Sequence, residues 1–417
     1  MAHEPRRQKT WQRPNVMPLC LAAFFNDLGS DMLFAFYPLF VILILRLDNM
    51  RSLGLIESVA LAVPLLMRPI WGRFSDWYGR RHFIWGGYSA LAISRVLQGL
   101  AQRWFHLIPA KAVYEIGRSM RNPPREALLS ESVPHEERGF AFGLLQSMDT
   151  AGAILGPAVG LGIFALLTRA EIPTDQRFRL IFYIAALPTI ASVLIIVFRT
   201  REVRKFAKHA PGKGEKGDAA GVVPRFTRPT VLFIVLSCLF SLWAPTENFM
   251  MVVGARIMGL TRDSMNDIYL VLVLYLAINV TFAPAALLGG KLSDRIGRKP
   301  PIVAGLLVLS VMSFGFAKID SYAPMLALFA MHGIYQGLLK PARTALVADL
   351  CRPEDRGAVL GTYSMATCLA SIPGPLIFGA IWDRSGGWTL PFVLSGICVG
   401  VSGLLIALLV KPPKESN

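Results

Sequence analysis

The sequence predicts an all-α membrane protein: twelve transmembrane helices in two pseudo-symmetric six-helix bundles. Three observations predict it. Hydrophobic residues make up 53% of the 417 and charged residues only 17%, where a soluble domain carries roughly 25%. Apolar runs of about 20 residues recur, the length that crosses a bilayer as a helix. A polar loop sequence also appears twice, once in each half. So much apolar surface excludes an ordinary soluble enzyme, and it excludes disorder. Runs this long exclude barrel strands.

The runs lie at about 18–45, 53–72, 83–101, 104–125, 139–167, 178–198, 229–258, 266–289, 300–318, 321–346, 357–382 and 388–410. Between the sixth and seventh, residues 199–228 are polar and rich in Gly and Lys. The expected organisation is therefore an N-terminal bundle over 1–198, a cytoplasmic linker over 199–228 and a C-terminal bundle over 229–417. The linker's GKGEKG is not a phosphate-binding loop, because no strand precedes it and no Lys-Ser/Thr follows.

The net charge is +16. In a soluble chain that would point to nucleic acid. Here the basic residues mark topology. With both termini inside, 25 Lys and Arg fall in inner loops and 9 in outer ones, so the bias places both ends in the cytoplasm. No nucleic-acid partner is expected. The five cysteines are scattered without metal or disulfide spacing, so no metal, cofactor or disulfide framework is expected. The first apolar run is too long for a signal h-region, so no cleaved leader is expected.

The repeat fixes the architecture. Between spans 2 and 3 the chain reads Gly72-Arg-Phe-Ser-Asp76-Trp-Tyr-Gly79-Arg80-Arg81. Between spans 8 and 9 it reads Gly290-Lys-Leu-Ser-Asp294-Arg-Ile-Gly297-Arg298-Lys299. The offset of 218 also aligns Arg125 with Arg343, Arg138-Gly139 with Arg356-Gly357, and Gly156-Pro157 with Gly374-Pro375. An unbroken register over about 85 residues argues for two homologous halves related by an axis along the membrane normal.

The paired G-x-x-x-D-x-x-G-R-R/K loops, twelve spans and central linker resemble the major facilitator superfamily, over essentially the whole chain. The first copy departs from the common pattern by placing Trp77-Tyr78 after the Asp. The resemblance implies that Asp76 meets the start of span 11 near Arg356, and that Asp294 meets the start of span 5 near Arg138. An anion at a helix N-terminus is favoured by free N–H groups and the dipole. Gly72, Asp76, Gly79, Arg80, Arg138, Asp294, Arg298 and Arg356 are the expected gating residues. The plainer reading is that these charges only set topology.

Ionisable groups inside spans are functional candidates by default, since each costs about 2.5–3.5 kcal/mol to insert. Span 1 carries Asn26-Asp27 and, one turn on, Asp31. One bound proton relieves two buried like charges on one face, which suits a proton carrier. A hydrogen bond to a neighbouring helix without proton exchange is the alternative. Pro38 permits a kink. In span 4, Glu115 and Arg118 lie deep and stand at pairing distance, whereas Arg121 and Arg125 read as anchors of its inner end.

Span 5 contains Asp149, then Gly152, Gly156-Pro157 and Gly160. This resembles the span-5 motif of facilitator drug/proton antiporters. Small-residue packing is the bland reading. Asp27, Asp31, Glu115, Arg118 and Asp149 are the proton-coupling candidates. Asn26, Phe34, Tyr37, Glu247, Asn248, Asn279, Tyr335 and Gln336 are the substrate-cavity candidates. A lone His332 reads as a hydrogen-bonded core histidine.

No nucleophile–His–acid set appears, so no enzyme is expected. The reading is a monomeric, proton-coupled secondary transporter in a bacterial inner membrane. It moves a small organic solute by alternating access, in the direction of export. One alternative carries an anionic metabolite on Arg118, Lys340 or Arg343. The other is a non-transporting receptor on the same fold.

Overall fold

Every long apolar run becomes a helix, because a backbone in hydrocarbon must satisfy its own hydrogen bonds. The computed structural model describes residues 10–34, 36–47, 49–202, 226–261, 268–352 and 355–410. Its helices are α1 (Val16–Phe34), α2 (Phe36–Leu39), α3 (Met50–Tyr78), α4 (Arg80–Leu100), α5 (Leu107–Glu131), α6 (Arg138–Arg169), α7 (Thr174–Arg199) and α8 (Arg228–Trp243). They continue as α9 (Glu247–Ile257), α10 (Ile268–Ile296), α11 (Lys299–Lys318), α12 (Tyr322–Asp349), α13 (Arg356–Ser371), α14 (Pro373–Ser385) and α15 (Thr389–Leu409).

These make twelve crossings, because three of the predicted spans are interrupted. Past α2, whose Pro38 lacks an N–H, the chain takes a π-helical turn over Phe40–Ile44. Pro245 separates α8 from α9, and Pro373 opens α14. Nine crossings among the described residues are long and apolar enough to span on composition alone. The other three are α4, α5 and α12, whose interiors carry Arg95, then Glu115 and Arg118, then Lys340 and Arg343.

The chain divides into two compact units. One comprises residues 1–36 and 63–219, the other 37–62 and 220–417. The predicted boundary at the linker assigns 37–62 to the first half; the contacts place this segment with the second. The start of α3 explains why. The Asp383 carboxylate accepts the Met50 and Arg51 N–H groups at 2.7 and 2.9 Å, and Asn49 accepts from Ser52 at 2.9 Å. Three N-terminal N–H groups of α3 are thus satisfied. A Cβ added to Gly379 would lie 2.2 Å from the Met50 carbonyl, and one on Gly54 would lie 2.2 Å from that of Pro375.

In the first unit, α6 lies against α1 through a stripe of glycines. A Cβ on Gly152 would lie 2.5 Å from the Phe24 carbonyl, on Gly156 2.6 Å from that of Leu28, and on Gly160 3.0 Å from that of Met32. Gly87 and Gly117 bring α4 and α5 together in the same way, each 2.7 Å from the other's carbonyl. The second unit packs α10 on α12 through Gly333 and Gly337, and buries an aromatic cluster of Phe249, Phe316, Phe378 and Phe392. Phe249 therefore belongs to the core and not to a cavity wall. Leu66, Leu166 and Phe198 lie exposed on the outside, the pattern of helices solvated by lipid.

The two loop copies turn alike. Gly79 and Gly297 both sit at φ +92°, a conformation reserved for glycine. Arg80 meets Glu131 at 2.9 Å, and Arg298 meets Asp349 at 3.0 Å. Both members of the first pair, moved by 218, give the second, so the repeat seen in the sequence extends to side-chain pairing.

Two expectations follow. Asp383→Ala should speed amide exchange at Met50 and Arg51 by about 5–30-fold, the effect of losing one or two kcal/mol of capping; unchanged exchange would show that the carboxylate does not hold the helix end. Gly156→Val should lower the melting temperature of the purified protein, through overpacking worth about 1–3 kcal/mol. Gly162→Ala, where an added Cβ meets nothing within 4 Å, should melt like the parent.

Candidate functional site

The first unit holds a charged cluster on α1, α4, α5 and α6. The glycine stripe sets its geometry. The virtual Cβ of Gly152 is 3.2 Å from the Asp27 Cβ, and that of Gly156 is 3.0 Å from the Asp31 Cβ. Both acids of span 1 are thus held against α6 at the positions where α6 has no side chain. One turn before Gly152, Asp149 receives Arg125 in a two-pronged pair, Nη1 to Oδ1 at 3.2 Å and Nη2 to Oδ2 at 3.3 Å. The two side chains are 8% and 16% exposed, so this pair is largely withdrawn from water. Asp27 lies close enough to act electrostatically on both Asp149 and Arg125.

Arg125 is therefore not the end anchor that its place in span 4 predicts. Arg121 is not one either: it is buried, donates to Asn122 at 3.1 Å and stacks its guanidinium 4.7 Å from the centre of the Tyr88 ring. Glu115 is buried, and Arg118 lies 3.9 Å from it, an ion-pair distance but not a hydrogen bond. Asn26 donates to Asp27 at 2.7 Å.

Sequence reasoning missed Arg95. It is fully buried and donates to the carbonyls of Ala185 (2.7 Å) and Asn26 (3.2 Å) and to the Ser30 hydroxyl (2.6 Å). It ties α4 to α7 and α1 and lies within the field of Asp27 and Asp31. The signal was present, since a lone Arg interrupts the apolar run of span 3.

The second unit encloses a cavity of about 560 Å³. Glu247, Tyr335 and Gln336 line it as expected, with Lys340, Arg343 and Tyr363. Glu247 accepts from Gln336 at 2.8 Å and lies 3.1 Å from His332 Nε2. Asn248 turns away and donates to Glu57 at 2.7 Å, an acid the sequence reading passed over. Asn279 bonds its own helix at the Tyr275 carbonyl. Tyr37 is buried in this unit within the field of Glu57, and Phe34 ends α1 in the first. Neither lines the cavity, and neither does Asn26.

Of the gating residues, Arg80 is the most fully tied. Its N–H and that of Arg81 bind the Glu202 carboxylate at 2.9 and 3.0 Å, which caps α4. Arg138 donates to the Ser130 carbonyl at 3.1 Å. Asp294 pairs with Arg298, and together with Asp349 it raises the affinity of that guanidinium for its proton above the ordinary value. The side chains of Asp76 and Arg356, and the surroundings of Gly72, lie outside the described residues.

Comparison with known proteins agrees with this architecture. A family model, Major Facilitator Superfamily, matches residues 19–317 and 263–417. An uncharacterised MFS-type transporter of Methanocaldococcus jannaschii is 29% identical over 94% of both chains. The multidrug resistance protein MdtG of Rahnella sp. is 23% identical over 97% of this chain and 96% of its own. Among solved structures, a bacterial homolog of the human lysosomal transporter Spinster superposes with a TM-score of 0.74 at 16% identity, over 94% of this chain and 95% of its own. A D-xylose-proton symporter superposes at 0.72 and 15%, over 96% and 98%. Matched halves, twin loops and a family model spanning both lead to one conclusion: the chain belongs to the Major Facilitator Superfamily, and it is a membrane transporter, not an enzyme.

Proposed function

We propose that this transporter is proton-coupled and exports a small organic solute across a bacterial inner membrane by alternating access. The observation that carries the reading is the Arg125–Asp149 pair with Asp27 beside it. Asp27, Asp31, Glu115 and Asp149 share this interior with Arg95, Arg118, Arg121 and Arg125. Four carboxylates there meet four guanidiniums, and one proton, or one cationic group of a substrate, taken up by a carboxylate shifts that balance. A proton and a cation competing for one carboxylate is the chemistry of exchange. The glycine stripe holds Asp27 and Asp31 in place for it. The MdtG relatives, named for multidrug resistance, support export; the fold shared with a proton symporter is compatible with coupling.

Alternating access then consists of the two units exposing their sites to one face and the other. The Asp76 and Asp294 loops latch the cytoplasmic side, where both termini lie, and Glu202, Glu131 and Asp349 keep each loop rigid within its own unit. A second reading has its own observation. Lys340 and Arg343 line the cavity of the second unit, which favours a substrate with a negative group.

The deciding experiment uses the full chain in proteoliposomes, offered a panel of lipophilic cations and small organic anions with and without a pH gradient. Transport driven by the gradient is expected, with cations preferred. Rates indifferent to the gradient would refute coupling, and transport of anions alone would select the second reading. Asp27→Asn or Asp31→Asn should reduce gradient-driven transport by about tenfold or more, equivalent to ~1.4 kcal/mol in the rate-limiting barrier; two fully active variants would remove span 1 as the carrier. Asp149→Asn should also destabilise the fold by about 3–5 kcal/mol, because it strands a buried Arg125. The Arg125→Gln/Asp149→Asn double variant should recover most of that loss in a thermal melt.

A further inference from the structure

The repeat carries one arginine into two different surroundings. Moved by 218, α5 corresponds to α12 and α6 to α13 with α14, and Arg125 becomes Arg343. Arg125 has an anion of its own chain: Asp149 takes both guanidinium nitrogens, at 3.2 and 3.3 Å. In the second unit Thr367 stands in the place of Asp149, and Pro245 in the place of Asp27. Neither carboxylate that acts on Arg125 has a counterpart. Thr367 is no substitute, because its hydroxyl donates to the Tyr363 and Ser364 carbonyls of its own helix, at 2.8 and 3.3 Å. Among the described residues, Arg343 has no hydrogen bond and no ion pair. Its guanidinium is not sealed away either: it lines the cavity, as Thr367 does.

The same comparison explains why there is room. The stripe that presses α6 on α1 is Gly152, Gly156 and Gly160; the second unit has Ala370, Gly374 and Phe378. Only Gly374 still brings backbones together, its virtual Cβ 2.4 Å from the Leu242 carbonyl. Side chains at the other two positions hold the helices apart. The space that results, about 560 Å³, has the size of a small-molecule site.

Its charge is unbalanced. The described lining contains two bases, Lys340 and Arg343, and one acid, Glu247. Lys340 donates to the Gln336 amide oxygen, and the Gln336 nitrogen donates to Glu247 at 2.8 Å. Lys340 and Glu247 are thus joined through one amide. One positive charge is left over, and it is the one without a partner.

We propose that the second unit binds an organic monocarboxylate, and that Arg343 holds its carboxylate in the place that Asp149 fills against Arg125. A guanidinium presents two parallel N–H groups to a planar two-oxygen anion, a match that an ammonium does not make. A single carboxylate brings the lining to neutrality; a phosphate dianion overshoots it. Phe240, Leu339 and Leu360 also line the cavity, so the rest of the ligand is apolar. The proposal deepens the second reading above, that of a substrate with a negative group, and rests on it for a role in transport.

The test measures binding to the full chain in lipid nanodiscs, with empty nanodiscs subtracted, by ligand-observed NMR. The probes are benzoate, phenylpropionate and naphthoate, their primary amides, and phenylphosphonate. The carboxylates should bind, the amides should not, and phenylphosphonate should bind more weakly than benzoate. Arg343→Gln and Thr367→Asp should each lower carboxylate affinity by about tenfold or more, the loss of one charge-assisted pair. The first removes the fork, and the second fills it from the chain itself. Thr362→Asp adds the same charge at a position that does not line the cavity, and it should bind like the parent. If Arg343→Gln melts early, Thr367→Asp, which keeps the guanidinium, decides. Carboxylates that do not bind, amides that bind equally, a preference for the phosphonate, or an affinity unmoved by Thr367→Asp would each overturn the proposal. Transport of anions with Thr367→Asp binding like the parent would leave the second reading standing without this site. Carboxylate binding lost in Thr367→Asp, with cations alone transported, would refute that reading and keep the site.

Discussion

The site in the first unit depends on how closely α1 and α6 approach. Three glycines on successive turns of α6 face the carbonyls of Phe24, Leu28 and Met32, the first two at distances that no Cβ tolerates and the third at 3.0 Å. In hydrocarbon, where apolar side chains gain nothing by leaving lipid, such contact must come from van der Waals packing of small residues. Its consequence is chemical. Asp27 and Asp31 are pressed to the surface of α6 and cannot swing to lipid. Asp149, a turn away on the same helix, holds Arg125 within the field of Asp27. A packing motif therefore decides where charge sits.

That arrangement also explains the tolerance of so many ionisable groups in a membrane. Arg95 spends its donors on two backbone carbonyls and a hydroxyl. Arg121 lies over an aromatic ring. Arg125 is neutralised by Asp149. Each cation is held by a different device.

The fold was legible almost entirely, because length and apolarity of spans are written locally and the repeat reads at a fixed offset. The breaks at Pro245 and Pro373 were legible in principle, since proline denies the ladder an N–H. The membership of residues 37–62 was not: it rests on Asp383, some 330 residues away in sequence, and no local pattern records such a partner. The site was half legible. Polar residues in spans were visible, but which way each turned was not. Asn248 and Glu247 are neighbours, and one bonds Glu57 while the other lines the cavity. Arg125 looked like an anchor because an acid 24 residues later becomes its partner only after α5 and α6 pair. Arg95 was readable by the same rule that flagged Glu115, as a lone charge within an apolar run.

The repeat lets the two halves be compared position by position. The loops have kept their pairing: Arg80 with Glu131, Arg298 with Asp349. The interiors have not. Arg125 corresponds to Arg343, but the position of its acid, Asp149, corresponds to Thr367, which bonds the Tyr363 carbonyl. Tyr114 corresponds to His332, Arg118 to Gln336 and Asn122 to Lys340. One unit therefore holds a cluster of acids and guanidiniums, and the other lines a cavity with an acid, an amide and two cations. Loops that must work alike on both halves constrain both copies. The interiors have been free to diverge, and the second unit keeps one acid, Glu247, beside its cavity where the first packs four among helices. The close α1–α6 contact holds its acids in a crowded seam, whereas the polar residues of α12 face open space.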